Sequence, residues 1–276
     1  MSFISVDKEL CVRDGVCAET CPSGLLRLSE PGAFPVAVAE AEQRCIACGH
    51  CVSVCPRGAL SLASMPITEC TPLRPELAIH AAQAEQFLRS RRSIRAYRKR
   101  AVDRQTLSQL LNLARLGPTA GNRQQLCWYV IDDPDSLKTV GAMVVDQMRH
   151  LVKTEAPISD SYPLRELISA WDNGVDLVLR GAPALVVASA PHDSGMGTVD
   201  SAIAFTYLDL AAPTLGLGTC WAGFVMLAAA HWPPLREFFS RSLPEGFVFT
   251  GAMMVGYPKH RYHRLPRRKP ANIVWH

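Results

Sequence analysis

No apolar stretch of this chain reaches the roughly 18 to 20 residues that a membrane-crossing helix requires. Its opening residues, Met1 to Glu9, have neither the basic region nor the apolar core of a secretory signal. Both absences point to a cytoplasmic protein with no membrane partner. Charge of one sign is scarce as well. A formal net charge of +4 over 276 residues is too weak a field to suggest a nucleic-acid partner.

What is present fits a folded, globular chain. Apolar residues make up 48% of the sequence and charged residues 20%, enough for a core and a solvated surface. The cations that exist are gathered locally, at Arg89, Arg91, Arg92, Arg95, Arg98, Lys99 and Arg100, which suggests an anionic cofactor. Of ten cysteines, seven fall within the first 55 residues at metal-ligand spacing, so they imply a reducing compartment rather than a disulfide scaffold.

Composition divides the chain in three. Residues 1–64 are short segments broken by Cys, Pro and Gly, too small to bury a core without a staple such as metal clusters. Residues 65–76, with prolines at 66, 72 and 75, read as a linker. Residues 77–276 form the second domain, of mixed helix and strand. Leu107, Leu110, Leu111 and Ala114 share one helix face with Asp103 as its cap, and helices are also expected over 165–180 and 200–215, the latter with Ala202, Phe205, Leu208 and Ala212 in register. Trp128–Asp132, Ala184–Ser189 and Phe247–Gly256 read as strands.

The run Cys45-x2-Cys48-x2-Cys51-x3-Cys55-Pro56 has the spacing of a bacterial ferredoxin, in which three thiolates hold one four-iron cluster and the fourth reaches the other cluster. An upstream copy places Cys11, Cys17, Cys21 and Pro22 at the same spacing, with Asp14 where the second cysteine belongs. The expected assignment is Cys45, Cys48, Cys51 and Cys21 around a full 4Fe-4S cluster, and Cys11, Cys17 and Cys55 with Asp14 around the other. Carboxylate is a harder ligand than thiolate for a soft sulfide cluster. The second cluster is therefore either a 4Fe-4S cluster with a labile Asp14 corner or a 3Fe-4S cluster, and spacing does not separate the two. A zinc site is the competing reading of the cysteines. It does not need so long a run with its proline.

Four separated stretches over about residues 85–275 resemble the FMN-dependent nitroreductase family. Arg91-Arg92-Ser93-Ile94-Arg95-Ala96-Tyr97 is similar to its opening motif, and the resemblance implies that Arg91, Arg92, Ser93 and Arg95 hold the FMN phosphate and ribityl chain. Gly117 to Gln125 is similar to a loop that brings Asn122 and Gln124 to the flavin. Leu215 to Phe224 is similar to the segment beside the isoalloxazine ring, where a backbone amide at Ala222 or Gly223 faces N5. Many relatives place a glutamate near that point, and here Ala222 stands instead. His263 to Pro270 resembles a basic segment returning to the phosphate, through Arg267 and Arg268.

The resemblance implies an α+β sandwich, an antiparallel or mixed sheet flanked by helices, in a homodimer with FMN at the interface. It implies an oxidoreductase whose chemistry occurs at FMN N5 and needs no catalytic side chain. With the ferredoxin-like module, the expected activity is electron passage between two clusters and FMN, reducing a small organic acceptor such as a nitroaromatic, quinone or activated alkene. An electron-transfer adaptor for a redox protein and a flavin- or metabolite-remodelling enzyme are the alternatives, and the residues allow either direction of flow. The donor is an external ferredoxin or NAD(P)H. The chain has no Gly-rich βαβ nucleotide fingerprint, and relatives stack nicotinamide on the flavin without one.

Overall fold

The computed structural model describes residues 3–157 and 161–276. The chain folds as two compact units, one of residues 1–78 together with 121–123, the other of residues 79–120 and 124–276.

In the first unit β1 (Ile4–Val6) pairs antiparallel with β4 (Leu60–Leu62), and β2 (Leu26–Arg27) with β3 (Val36–Ala37). Three single-turn helices lie between: α1 (Val16–Glu19), α2 (Ala41–Arg44) and α3 (His50–Ser53). The buried core is small, made of Leu26, Val52, Leu60 and Leu62 with the thiols of Cys17 and Cys51. Met65, Ile67 and Cys70 pack against it. The front of the expected linker is thus part of the module, because its apolar side chains have nowhere else to be buried.

The second unit opens with α4 (Ala81–Ser90) and α5 (Arg104–Ala114). Then come β5 (Cys127–Ile131), α6 (Pro134–Lys153), α7 (Leu164–Asp172), β6 (Ala184–Pro191) and α8 (Gly197–Ala211). The chain continues with β7 (Gly218–Trp221), α9 (Gly223–His231), α10 (Pro233–Ser242) and β8 (Phe247–Gly256). The four strands form one antiparallel sheet in the order β5-β6-β8-β7. Successive residues of β6 face opposite sides. Leu185 and Val187 pack with α6, α9 and α10 through Val144, Val225 and Phe239, while Val186 and Ala188 pack with α5 and α8 through Leu110, Phe205 and Leu208. The expected α+β sandwich is this three-layer arrangement, with both sheet faces covered.

Two expected helices differ in extent. That expected over 165–180 stops at Asp172, because Gly174 turns left-handed (φ 78°) and Asp176 then accepts from the amides of Val178, Leu179 and Gly181, an Asx-type turn that replaces helical bonding. That expected over 200–215 starts earlier, at Gly197, and becomes 3-10 from Ala212, where Pro213 lacks the donor an α-helix needs. On it Phe205, Leu208 and Ala212 are buried, whereas Ala202 is exposed. Among the described residues no helix is long and apolar enough to cross a membrane.

Candidate redox centres

The first unit repeats its backbone as it repeats its cysteines. Gly15 and Gly49, each just before a one-turn helix, have φ of 77° and 74°. Arg13 and Ala47 are left-handed, as are Gly24 and Gly58 after the two prolines. The left-handed φ at Gly49 favours glycine, and a Cβ there would also press on the Met65 side chain, 2.6 Å from its Sδ.

These two turns sort the thiols into two sets. Burial pushes the Cys17 thiol up, and Cys11 and Cys55 add to the shift as like-charged neighbours. Burial pushes the Cys51 thiol up to about 11, with Cys21, Cys45 and Cys48 as its like-charged neighbours. Cys21 and Cys55 thus act electrostatically on thiols of the opposite repeat. Backbone amides donate to three sulfurs: Leu25 to Cys21 at 3.3 Å, Ala47 to Cys45 at 3.4 Å and Ala59 to Cys55 at 3.2 Å. Such donors suit thiolates that carry charge, as cluster ligands do. Among the described residues no three His, Cys, Asp or Glu side chains converge on a single metal ion. One zinc ion would draw its sulfurs to roughly 2.3 Å.

Asp14 is exposed, and its Oδ1 accepts from the Val16 amide at 3.3 Å. The carboxylate thus closes the turn that leads into α1. Asn122 (φ 53°) lies in the segment grouped with this unit, and its Nδ2 donates to the carbonyls of Ile46 and Ala47, both at 3.0 Å, in the turn between Cys45 and Cys48.

In the second unit the segment after α4 runs beside β7. Ile94 donates to the Thr219 carbonyl, Arg98 to that of Tyr257, and Lys259 to that of Ala96. Arg91 Nη1 lies 3.2 Å from Asp209 Oδ2, and Asp209, buried on α8, also accepts from the Thr219 hydroxyl. Ser93 hydrogen-bonds the Cys220 sulfur, and the Arg95 and Arg180 guanidinium groups act on Cys220, whose thiol burial pushes up. The neighbouring Tyr97 hydroxyl is buried with no hydrogen-bond partner among the described residues, and burial raises its pKa.

A groove of 390 Å³ opens here, with Arg92, Arg98, His260, Arg261 and Tyr262 among its walls. The Arg92 guanidinium lies 5.6 Å from the centre of the Tyr262 ring. Space on the groove floor depends on Gly218, where a Cβ would come within 2.4 Å of Ile94. Of the two backbone amides expected to face a flavin, that of Ala222 is already donated to the Ala252 carbonyl at 3.0 Å. Gly223 starts α9, so its N–H is one of the donors a helix leaves unsatisfied, and nothing lies within 4 Å of where its Cβ would be. Gln124 is left-handed (φ 51°), its amide donating to Thr119 Oγ1, and Arg267 and Arg268 are exposed on a segment without regular structure.

The basic groove, with Arg92, Arg98 and Arg261 on its walls, fits a polar anionic group such as the phosphate of FMN. The sorted thiols, with amides aimed at sulfur, fit cluster ligands. Sequence reasoning passed over Tyr97, Arg180, Asp209, Thr219, His260 and Arg261. Asp209 had a signal available, since an acid within an otherwise apolar helix must be paired once it is buried.

Fold and site together define a redox protein, an α+β oxidoreductase unit with a cysteine-rich electron-carrier unit. The chain belongs to the nitroreductase family, whose model matches residues 88–257, while residues 10–60 match a 4Fe-4S dicluster domain. It is an FMN-dependent oxidoreductase with an iron–sulfur domain. A protein of Archaeoglobus fulgidus named provisionally as an NADH dehydrogenase/NAD(P)H nitroreductase is 27% identical over 174 residues, 63% of this chain and 84% of its own. The FMN reductase [NAD(P)H] of Bacillus subtilis is 25% identical over 182 residues, 65% of this chain and 68% of its own. The FMN-bound nitroreductase of Bacteroides fragilis shares the fold, with a TM-score of 0.57 at 20% identity over 70% of this chain and 98% of that one. That of Desulfitobacterium hafniense gives 0.56 at 22% identity over 69% and 96%.

Proposed function

We propose that this protein carries single electrons from an external ferredoxin through two iron–sulfur clusters to FMN, or takes hydride from NAD(P)H directly at FMN, for reduction of a small organic acceptor such as a nitroaromatic, quinone or activated alkene. The observation that carries the reading is the sorting of the thiols, with Cys21 set beside Cys45, Cys48 and Cys51, and Cys55 beside Cys11 and Cys17. A bound cluster supplies one-electron steps and bound FMN supplies both one-electron and hydride chemistry.

The remaining work belongs to the chain. Arg92, Arg98 and Arg261 offset the negative charge of a phosphate in the groove, and Arg91 is held in place by Asp209. Ser93, Arg95, Gln124, Arg267 and Arg268 complete the proposed flavin set. The Gly223 amide supplies a donor toward a flavin ring at the N-terminus of α9. Ala222 offers no proton, so protons reach the ring from elsewhere. Asp14 completes the second cluster as an oxygen ligand and makes that corner the labile one.

A homodimer is part of the proposal. On α8, apolar nearly all round, Val199 and Tyr207 stay exposed, and so do Ile273, Val274 and Trp275 at the end of the chain.

The test is anaerobic purification, quantitation of iron, sulfide and flavin, and stopped-flow reduction by a one-electron donor. The expected result is cluster bleaching followed by flavin reduction, with Cys48→Ser slowing the flavin phase at unchanged flavin content. Flavin reduction at the wild-type rate in Cys48→Ser would remove the clusters from the path.

A further inference from the structure

The second unit has another cavity, of 680 Å³, larger than the basic groove and formed by the chain after Tyr97, the start of α6 and the loop that follows α7. Leu137, Trp171, Leu179 and Pro183 make much of its wall. Trp171 is held in place by close packing on α6, since a Cβ at Gly141 would lie 2.6 Å from Trp171 Cη2. The volume is that of a small-molecule site.

The charges around it are not balanced once their partners are counted. Three acids line the cavity, and each is already engaged by the chain. Asp132 takes a two-point bond from Arg104 at 2.7 and 3.1 Å, which holds its carboxyl below the usual range. Asp172 is paired with Arg149, and Asp176 accepts from three backbone amides. Two of the cations are engaged as well: Arg98 Nε donates to the Pro258 carbonyl at 3.1 Å, and the Arg100 guanidinium lies 4.3 Å from the centre of the Tyr257 ring. Lys99 and Lys138 make no ion pair among the described residues. What remains for a ligand is an apolar wall with an indole and a rim carrying the two lysine ammonium groups, beside two arginines already turned toward neutral groups of the chain.

We propose that this cavity binds a small aromatic anion, an aryl carboxylate or sulfonate, with its ring against Trp171 and the aliphatic wall and its charge taken by Lys99 and Lys138. A neutral molecule of the same shape would leave both ammonium groups unmatched. An aromatic cation is disfavoured because every acid at the rim is already spent on the chain.

The probe is 2-naphthoate, compared with neutral 2-naphthamide, titrated calorimetrically into the full-length, flavin-loaded protein and followed by tryptophan fluorescence. Saturable binding at one site per chain is expected, with the naphthamide weaker. Lys99→Met with Lys138→Met should weaken naphthoate about tenfold, as two screened contacts would, while leaving naphthamide and flavin content unchanged. Ala101→Trp, at the cavity wall, should abolish binding of both, and Trp171→Phe should remove the fluorescence change while binding heat persists. Absence of saturable binding overturns the proposal. So does naphthoate affinity that neither the double lysine variant nor Ala101→Trp alters, which would place the probe elsewhere, as would its loss on flavin removal alone.

Discussion

Asp209 is the residue on which the basic segment of the second unit turns, because one buried carboxylate holds both the Arg91 guanidinium and the Thr219 hydroxyl. Asp209→Ala leaves both partners unmatched and should lower stability by on the order of 2 kcal/mol, the cost of orphaning buried polar groups, and flavin retention should fall with it. Thermal melts and bound flavin per chain check both expectations. Retention at the wild-type level would separate Arg91 from the flavin. Asp14→Cys restores the thiolate that the repeat implies, and should raise iron toward eight per chain, as two four-iron clusters require, and remove any three-iron EPR signal. The 4Fe-4S domain itself was legible in sequence, from Cys11, Asp14, Cys17, Cys21, Cys45, Cys48, Cys51 and Cys55, because a cluster demands ligands at fixed, short separations. The partners of Asp209, Arg91 and Thr219, were not, because they are brought together only by the fold.

At the scale of the element, caps and close contacts decide. The Asp103 carboxylate caps α5, bonding first the Thr106 amide and then its hydroxyl, and both bonds hold its pKa down. Asp132 is lowered in the same sense by Arg104. A depressed folded-state pKa contributes stability that is present above the ordinary carboxylate value of about 4 and lost as pH falls through the folded value. The melting temperature of the second unit should therefore drop on acidification below that point. Asp103→Asn with Asp132→Asn should flatten the drop. Gly141→Ala forces a methyl against the Trp171 ring and should destabilise by about 1 to 3 kcal/mol, against an intrinsic helix preference of about 1 kcal/mol in its favour. Recovery in the double variant with Trp171→Phe would identify the ring as the cause. The α5 cap and the three long strands could be read from periodicity and capping chemistry. β7 and α9 could not, since Gly218–Trp221 is too short for a clear alternation and α9 is apolar on every side.

The two units differ in what holds them. The core of the second spans both faces of a four-stranded sheet, while the buried cluster of the first has six members among the described residues, two of them thiols. Iron chelation should therefore unfold the first unit and leave the second nearly unchanged, visible as loss of amide protection confined to residues 3–78. The same grouping of thiols constrains synthesis. The chain leaves the ribosome N-terminus first, and the set containing Cys11 and Cys17 lacks its third thiol until Cys55 has been made, while the set containing Cys21 is incomplete until Cys51. On the proposed ligand sets, neither cluster can be completed from the first repeat alone. If those sets hold, cluster delivery has to wait until both repeats have emerged, so the step that commits this protein to its redox role can follow translation of the flavin unit.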